Sequence, residues 1–367
     1  MIPINSPQIG EEEIEAVVKV LKSGLFTHGL GAGPMVTKFE KAYAEFAGVK
    51  HAIATNSGTA ALHLAVLGAG VKPGDEVILP SFTFVATAEI VVIAGAKPVF
   101  VDIDAETYNI SPHEIEKAIT KKTRAIIPVD LYGLPADMQP IREIADENGL
   151  LLIEDACQAH GATYKGKPAG ALADVACWSF YASKNMTTGE GGMVTTNNSE
   201  VAEKIRFMRS HGEKEKYISV MLGYNYRMTE MQAALGCVQL EKLPKFLAKR
   251  RENAGRLSEK LKGVKGLKLP SEPKDYKHSW YLYTVRLEDA EEKERDKIVE
   301  GLRLRGIGAE VYYKNPIHLM PYYRNFGKCR LPETEKAAKQ VFSLPIHPGV
   351  TEEQINFIGE TLLQFLC

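Results

Sequence analysis

From Phe39 onward, short apolar runs alternate with stretches of helical periodicity, and this alternation leaves the chain very few folds to choose from. The runs at 51–54, 76–79, 98–101, 124–129 and 150–153 have strand length and are apolar nearly throughout. Helical segments separate them: one ending at Phe46, one from Thr59, one through Ile93, one opening at Ser111 and one across 141–147. Strands spaced by roughly 10 to 15 helical residues are joined by crossovers, so they pair in parallel and are covered by helices on both faces. The expected class is α/β, with a large, mainly parallel sheet sandwiched by helices. Ser111-Pro112-His113-Glu114 reads as a capping box with proline at the first helical position.

Two of the apolar runs end in reactive side chains. The run 150–153 stops at Glu154 and Asp155, and a later run, 175–180, leads into Ser183 and Lys184. Ligands in α/β sheets bind just beyond the carboxyl ends of the strands. An acid and an amine, 184 − 155 = 29 residues apart, therefore reach one rim. Pyridoxal phosphate chemistry needs this pair: the aldehyde takes a lysine for its Schiff base, and the ring nitrogen takes an acid that keeps it protonated. Upstream, Thr55-Asn56-Ser57-Gly58-Thr59 opens a helix. The unpaired N–H groups and positive end of a helix start suit a phosphate, although Ser57 equally suits an ordinary N-cap.

These residues carry a resemblance. SGTAALHLA, PSFTFVATA, LIEDACQAHGA, WSFYASKNMTTGEGGM and GYNYRMTEMQAALG, in this order, resemble the successive motifs of the DegT family of pyridoxal-phosphate-dependent aminotransferases, which act on nucleotide-linked keto sugars. The resemblance runs from about Ile4 to the C-terminal helix. It implies the aspartate aminotransferase fold (type I), with a seven-stranded sheet in the larger domain. It also implies roles: Asp155 on the ring nitrogen, Gln158 on the ring hydroxyl, Phe84 over the ring, and Lys184 bonded to the aldehyde. The phosphate falls to Ser57, Gly58, Thr59 and Ser179, and to Asn225 of a second copy with Arg227 close by, so a homodimer with shared sites is expected. Phe82 reads as core and His160 as a satisfied structural histidine. Asp130 and Tyr132 fit pocket walls or simple turn residues. Gly189 to Gly192 fits the tight turn after the lysine.

The length of 367 residues gives room for a cofactor domain at 1–245 and a smaller C-terminal α+β domain at 246–367. With 45 basic against 46 acidic residues the net charge is −1, which gives no global pull toward nucleic acid or an anionic membrane. Five cysteines without C-x-x-C spacing argue against a disulfide framework or a zinc site, and no metal is expected. The opening MIPINSPQIGEEE lacks a signal pattern, and no apolar run approaches the ~20 residues of a membrane span, which points to the cytoplasm.

The rest of the chain frames this centre. Residues 11–23 form an amphipathic helix closed by Gly24, and the glycine-rich loop after it follows a helix instead of a strand, so it is no dinucleotide fingerprint. A helix at 200–208, an exposed loop at 211–220, a helix at 229–240 and a long basic helix at 244–261 come next. The C-terminal part offers a strand within 279–287, helices at 295–305 and 333–342, a strand at 343–346 and a last helix from Thr351. Residues 311–323 are expected to help choose the sugar, with Tyr313 and His318 as candidates.

The expected function is transfer of an amino group from an amino acid, glutamate by the resemblance, to a keto sugar on a nucleoside diphosphate. The product would serve biosynthesis of amino sugars for surface polysaccharides or related glycans. A lyase of the same fold, or a non-catalytic regulator on this scaffold, are the alternatives.

Overall fold

The computed structural model describes residues 1–366. Helices α1 (Glu11–Ser23) and α2 (Pro34–Ala47) come first. The alternation follows as β1 (His51–Thr55), α3 (Gly58–Gly68), β2 (Glu76–Pro80), α4 (Ala86–Ile93), β3 (Lys97–Val101), α5 (Pro112–Ala118), β4 (Thr123–Ile126), α6 (Met138–Glu147) and β5 (Leu151–Asp155). Two short strands, β6 (Thr163–Tyr164) and β7 (Lys167–Pro168), precede β8 (Val175–Ser179) and β9 (Gly192–Thr196). Then come α7 (Ser199–Arg209), the hairpin β10 (Glu213–Glu215) and β11 (Ile218–Ser219), and α8 (Glu230–Leu261).

The main sheet has seven strands in the order β1-β9-β8-β5-β4-β2-β3. All neighbours pair in parallel except around β9, which runs antiparallel to both β1 and β8. A parallel return needs a helical crossover; the chain between β8 and β9 has none and turns back on itself. Alternate side chains go to opposite faces, and both faces are buried. Val77, Leu79 and Ile153 join one core, while Ile78 and Leu152 join the other.

The C-terminal elements are β12 (Leu267–Lys268), β13 (Tyr276–Lys277), β14 (Tyr283–Leu287), α9 (Glu292–Leu304), α10 (Pro332–Gln340), β15 (Val341–Leu344) and α11 (Glu352–Leu366), and a second core lies among β12, β14, β15, α9, α11 and the end of α8. Strands β12, β14 and β15 form an antiparallel sheet packed on Leu257 and Leu261 of α8, and Ile2 from the N-terminus joins them. Strand β13 pairs instead with β6, which ties this region to the main body.

Five local expectations are corrected. The helices read at 229–240 and 244–261 are one, α8, which continues through Pro244. A proline inside a helix costs about 3 kcal/mol; here packing on both sides of the break offsets it. The first half is held by Phe39 against Gly236 and by Glu13 on Gln239, the second by Glu360 on Lys260. The capping box at Ser111 does not form. Its N–H is spent on Asp102 O (3.2 Å), and Glu114 turns to Lys117 (2.7 Å). The exposed 211–220 segment holds the β10–β11 hairpin. The last strand starts two residues early, because Val341 and Phe342 pair with Arg286 and Val285. The run at 124–129 is also interrupted after Ile126, since Pro128 has no N–H to give, and Val129 rejoins only through a bridge to Asp155.

Candidate active site

Parallel pairing of β5 with β8 brings Asp155 level with Cys177 and sends the chain on from Ser179 toward Lys184 at the same rim. Asp155 is the last residue of β5 and is 5% exposed. Its Oδ2 accepts the Thr87 hydroxyl (2.8 Å) and its Oδ1 accepts the Cys157 N–H (3.2 Å), so the carboxylate is fixed from two sides. Glu154, one residue earlier, points to the other face, where its Oε1 accepts the Gly170 N–H (2.7 Å).

Lys184 is half-buried, with its backbone N–H bonded to Tyr181 O (2.9 Å) and its Nζ 4.4 Å from the centre of the Tyr281 ring. Ser183 Oγ and the Tyr281 hydroxyl are 3.0 Å apart, and Asn185 Nδ2 donates to Ser279 O (3.0 Å). After the lysine, Gly189 takes φ +79°, a left-handed turn that glycine adopts without strain.

The start of α3 abuts β8. Ser57 is the N-cap, and its Oγ accepts the Ala60 N–H (3.1 Å). Among the described residues, the N–H groups of Gly58 and Thr59 meet no protein acceptor. A Cβ on Gly58 would come within 2.7 Å of Ser179 Cβ, so only glycine lets the Ser179 side chain lie against this helix start. Free amides, the positive end of a helix and the Ser57, Thr59 and Ser179 hydroxyls are the donor set that a phosphate takes. An aldehyde-bearing aromatic phosphate fits the whole rim: phosphate donors at α3, a fixed acid at β5 and a primary amine after β8.

The remaining expected residues fall as follows. Gln158 is buried; its Oε1 accepts the Tyr132 N–H (2.8 Å) and its Nε2 donates to the Tyr313 hydroxyl (3.4 Å). Tyr313 is half-buried, and desolvation pushes its phenol well above the usual range. Phe84 is 54% exposed with its ring centre 6.3 Å from that of Tyr313, whereas Phe82 is fully buried. Asp130 is buried beside Glu154, and the Tyr132 hydroxyl donates to the Tyr312 carbonyl oxygen. His318 is buried under the β2–α4 turn, with Nδ1 bonded to Ser81 Oγ (2.7 Å) and Nε2 toward Glu335 (3.5 Å). Asn225 is exposed; its carbonyl accepts from Asn56 Nδ2 (3.4 Å), and Arg227 Nη1 donates to Ser210 Oγ (3.0 Å).

His160 is a correction. It is fully buried against Trp178 and Phe180, yet neither ring nitrogen has a hydrogen-bond partner. Burial, and then the nearby Lys184 charge, pull it down to about 3, so it stays a neutral packing ring. Thr87, Tyr281 and Ser279 were not read from the sequence. Thr87 stands within PSFTFVATA and was open to notice; Tyr281 lies about a hundred residues from Lys184 in a segment without any local signal. Among the described residues no group of three or more His, Cys, Asp or Glu side chains could hold a metal, and no helix is long and apolar enough to cross a membrane.

Comparison with known proteins gives a consistent picture. The model of the DegT/DnrJ/EryC1/StrS aminotransferase family matches residues 7–363. The GDP-perosamine synthase of Caulobacter vibrioides is 40% identical, covering 100% of this chain and 98% of that protein. A pleiotropic regulatory protein of Geobacillus stearothermophilus is 43% identical, over 98% of this chain and 95% of its own. Among solved structures, S. venezuelae DesV in complex with a ketimine intermediate superposes with a TM-score of 0.92 at 39% identity, covering 97% of this chain and 94% of that one.

Proposed function

The chain belongs to the DegT/DnrJ/EryC1/StrS aminotransferase family, and from that premise we propose that it moves an amino group from an amino acid, glutamate in our reading, onto the ketone of a nucleotide-linked sugar. It is a fold type I aminotransferase whose cofactor is pyridoxal 5′-phosphate. Bound there, the cofactor supplies an aldehyde that exchanges amines and a ring that accepts electrons from a developing carbanion.

This chain's residues divide the work. Ser57, Gly58, Thr59 and Ser179 would hold the phosphate, and Gln158 and Phe84 would fix the ring edge and cover its face. Asp155, held by Thr87 and Cys157, would keep the ring nitrogen protonated. Lys184 Nζ would bond the aldehyde, leave when the donor's amine takes its place, and then carry the proton off the donor's α-carbon. Tyr313 would face the sugar. His318 we assign to holding the Ser81 turn. The observation that carries this reading is the meeting of a fixed carboxylate, a primary amine and an open helix start at one sheet rim.

We further place Asn225 in the site of a second copy, in a homodimer. Its exposed position fits that role, as does an exposed apolar stripe on α1 formed by Ile14, Val18 and Leu21. The amino sugar would feed surface polysaccharides or related glycans. Free thiols at Cys157, Cys177, Cys237 and Cys329 suit a reducing compartment, the cytoplasm. The regulatory name of one relative favours no other chemistry, because Lys184, Asp155 and the phosphate donors are all retained.

The test is direct. Purified protein, pyridoxal phosphate, glutamate and a panel of nucleotide-linked keto sugars should yield an amino sugar by mass spectrometry, and Lys184→Ala should yield none. Release of carbon dioxide or ammonia would favour a lyase. Failure to form a visible band with the cofactor would favour the regulator.

A further inference from the structure

The flank of Lys184 that faces the second core is made by residues 279–282, and this segment is tied down on every side. Ser279 N donates to Gly133 O (2.8 Å) and Ser279 Oγ to Gln158 O (3.1 Å). Leu282 N donates to Tyr132 O (3.1 Å). Trp280 sits at φ +53°, so the chain is bent there. From behind, the buried Arg250 has no carboxylate partner among the described residues. Its Nη1 is turned instead on Trp280 O (3.2 Å) and Tyr281 O (3.1 Å). A buried guanidinium spent on two consecutive carbonyls fixes the peptide that carries the Tyr281 ring.

That ring has one neighbour of chemical interest on its face and one at its tip. Lys184 Nζ is 4.4 Å from the ring centre, within the range where an ammonium is held by the negative face of an aromatic. The hydroxyl meets Ser183 Oγ at 3.0 Å, so the residue next to the lysine locks the ring's rotation. We propose that Tyr281 is a positioning residue for Lys184: its ring face presents the amine to the cofactor's aldehyde and keeps it at the rim while the cofactor carries the substrate's nitrogen. This rests on the reading of Lys184 as the amine that bonds the aldehyde.

The test separates the two. Wild type, Tyr281→Leu, Tyr281→Phe, Ser183→Ala and Lys184→Ala are titrated with pyridoxal phosphate, followed by its visible band. They are then titrated with pyridoxamine phosphate, which has no aldehyde and makes no bond to lysine. Tyr281→Leu should weaken pyridoxal phosphate binding about 3- to 10-fold and leave pyridoxamine phosphate binding within about two-fold. Tyr281→Phe, which keeps the face, should lose clearly less. Ser183→Ala should shift the same way by a smaller factor, and it serves if the leucine variant does not fold. Equal loss of both ligands, no loss of either, or a phenylalanine variant as weak as the leucine one overturns the proposal. A wild-type band in Lys184→Ala would instead remove the premise about the lysine.

Discussion

Asp130 and Glu154 form a buried pair of acids with no cation between them. Each has one oxygen answered by a backbone amide: Ala136 N–H on Asp130 Oδ1 (2.9 Å) and Gly170 N–H on Glu154 Oε1 (2.7 Å). The other two oxygens, Asp130 Oδ2 and Glu154 Oε2, are buried without a hydrogen-bond partner. Two neighbouring carboxylates in a dry interior repel each other, so one of them keeps its proton. Asp130 holds it: burial pushes its carboxyl well above the usual range, and the charges of Glu154 and Asp155 add to this. Burial raises Glu154 too. The folded protein thus keeps a proton that the unfolded chain releases above about pH 4. Stability from this proton is fully present below that pH and is lost as the pH rises toward the raised folded value. Asp130→Asn cannot ionise. Its melting temperature relative to wild type should therefore move in its favour as the pH is raised from about 4 to about 9; a difference that stays constant would rule out a proton retained on Asp130. Read from the sequence, Asp155 pairs with Lys184 and Glu154 has no role. Adjacent strand residues point to opposite faces, but which face fronts the site is set by the sheet's register, which no local pattern shows. Asp130 could be read as pocket wall or turn because its partner is on another strand.

Helix α2 begins without a cap of its own: Gly33 has no side chain to offer and Pro34 has no N–H. The missing acceptor comes from the first residue of α8. Met35 N and Val36 N donate to the Glu230 carboxylate at 2.6 and 3.3 Å, across 195 and 194 residues of sequence. A carboxylate at a helix start also gains from the helix dipole. Gly33 has to be glycine for this approach, since a Cβ there would lie 2.7 Å from Glu230 Cδ. Glu230→Ala should cost about 2 to 3 kcal/mol by stranding two amides, seen as a melting temperature lower by several degrees and faster amide exchange in residues 24–36. Glu230→Gln, which keeps one acceptor, should lose roughly half as much. Unchanged exchange at the start of α2 would show that Glu230 does not cap it. Elements governed by their own residues were legible: α1 begins and ends where its acidic first turn and Gly24 set it. The unity of α8 was not, because Pro244 is a local breaker while the packing that overrides it comes from α1, α2 and α11. Long-range caps such as Glu230 leave no local pattern at all.

At the scale of the whole molecule, large apolar side chains lie exposed in two segments of the chain. Val20 of α1 is buried while Ile14, Val18 and Leu21 are exposed, and Leu25 and Phe26 extend the stripe beyond the helix. The β10–β11 hairpin adds Tyr217, Ile218, Val220 and Leu222, all more than half exposed, just ahead of Asn225 in the chain. Exposed apolar side chains gathered in two segments are what the proposed dimer would cover, and with a net charge of −1 little opposes self-association. In a twofold dimer contacts are reciprocal, so under the proposed trans role each copy would both lend and receive an Asn225. This can be tested by mixing two crippled chains. Lys184→Ala lacks the amine in its own site but can still lend Asn225, and Asn225→Ala keeps the amine but lends nothing. If Asn225 acts across the interface, a mixed dimer has one intact site, built on the Asn225→Ala chain, and one doubly damaged site. Random reassortment at equal amounts puts half of the dimers in the mixed form, so about a quarter of wild-type activity should return after subunit exchange. If Asn225 serves its own chain's lysine, no intact site can arise, and the mixture will show only the average of its two parents.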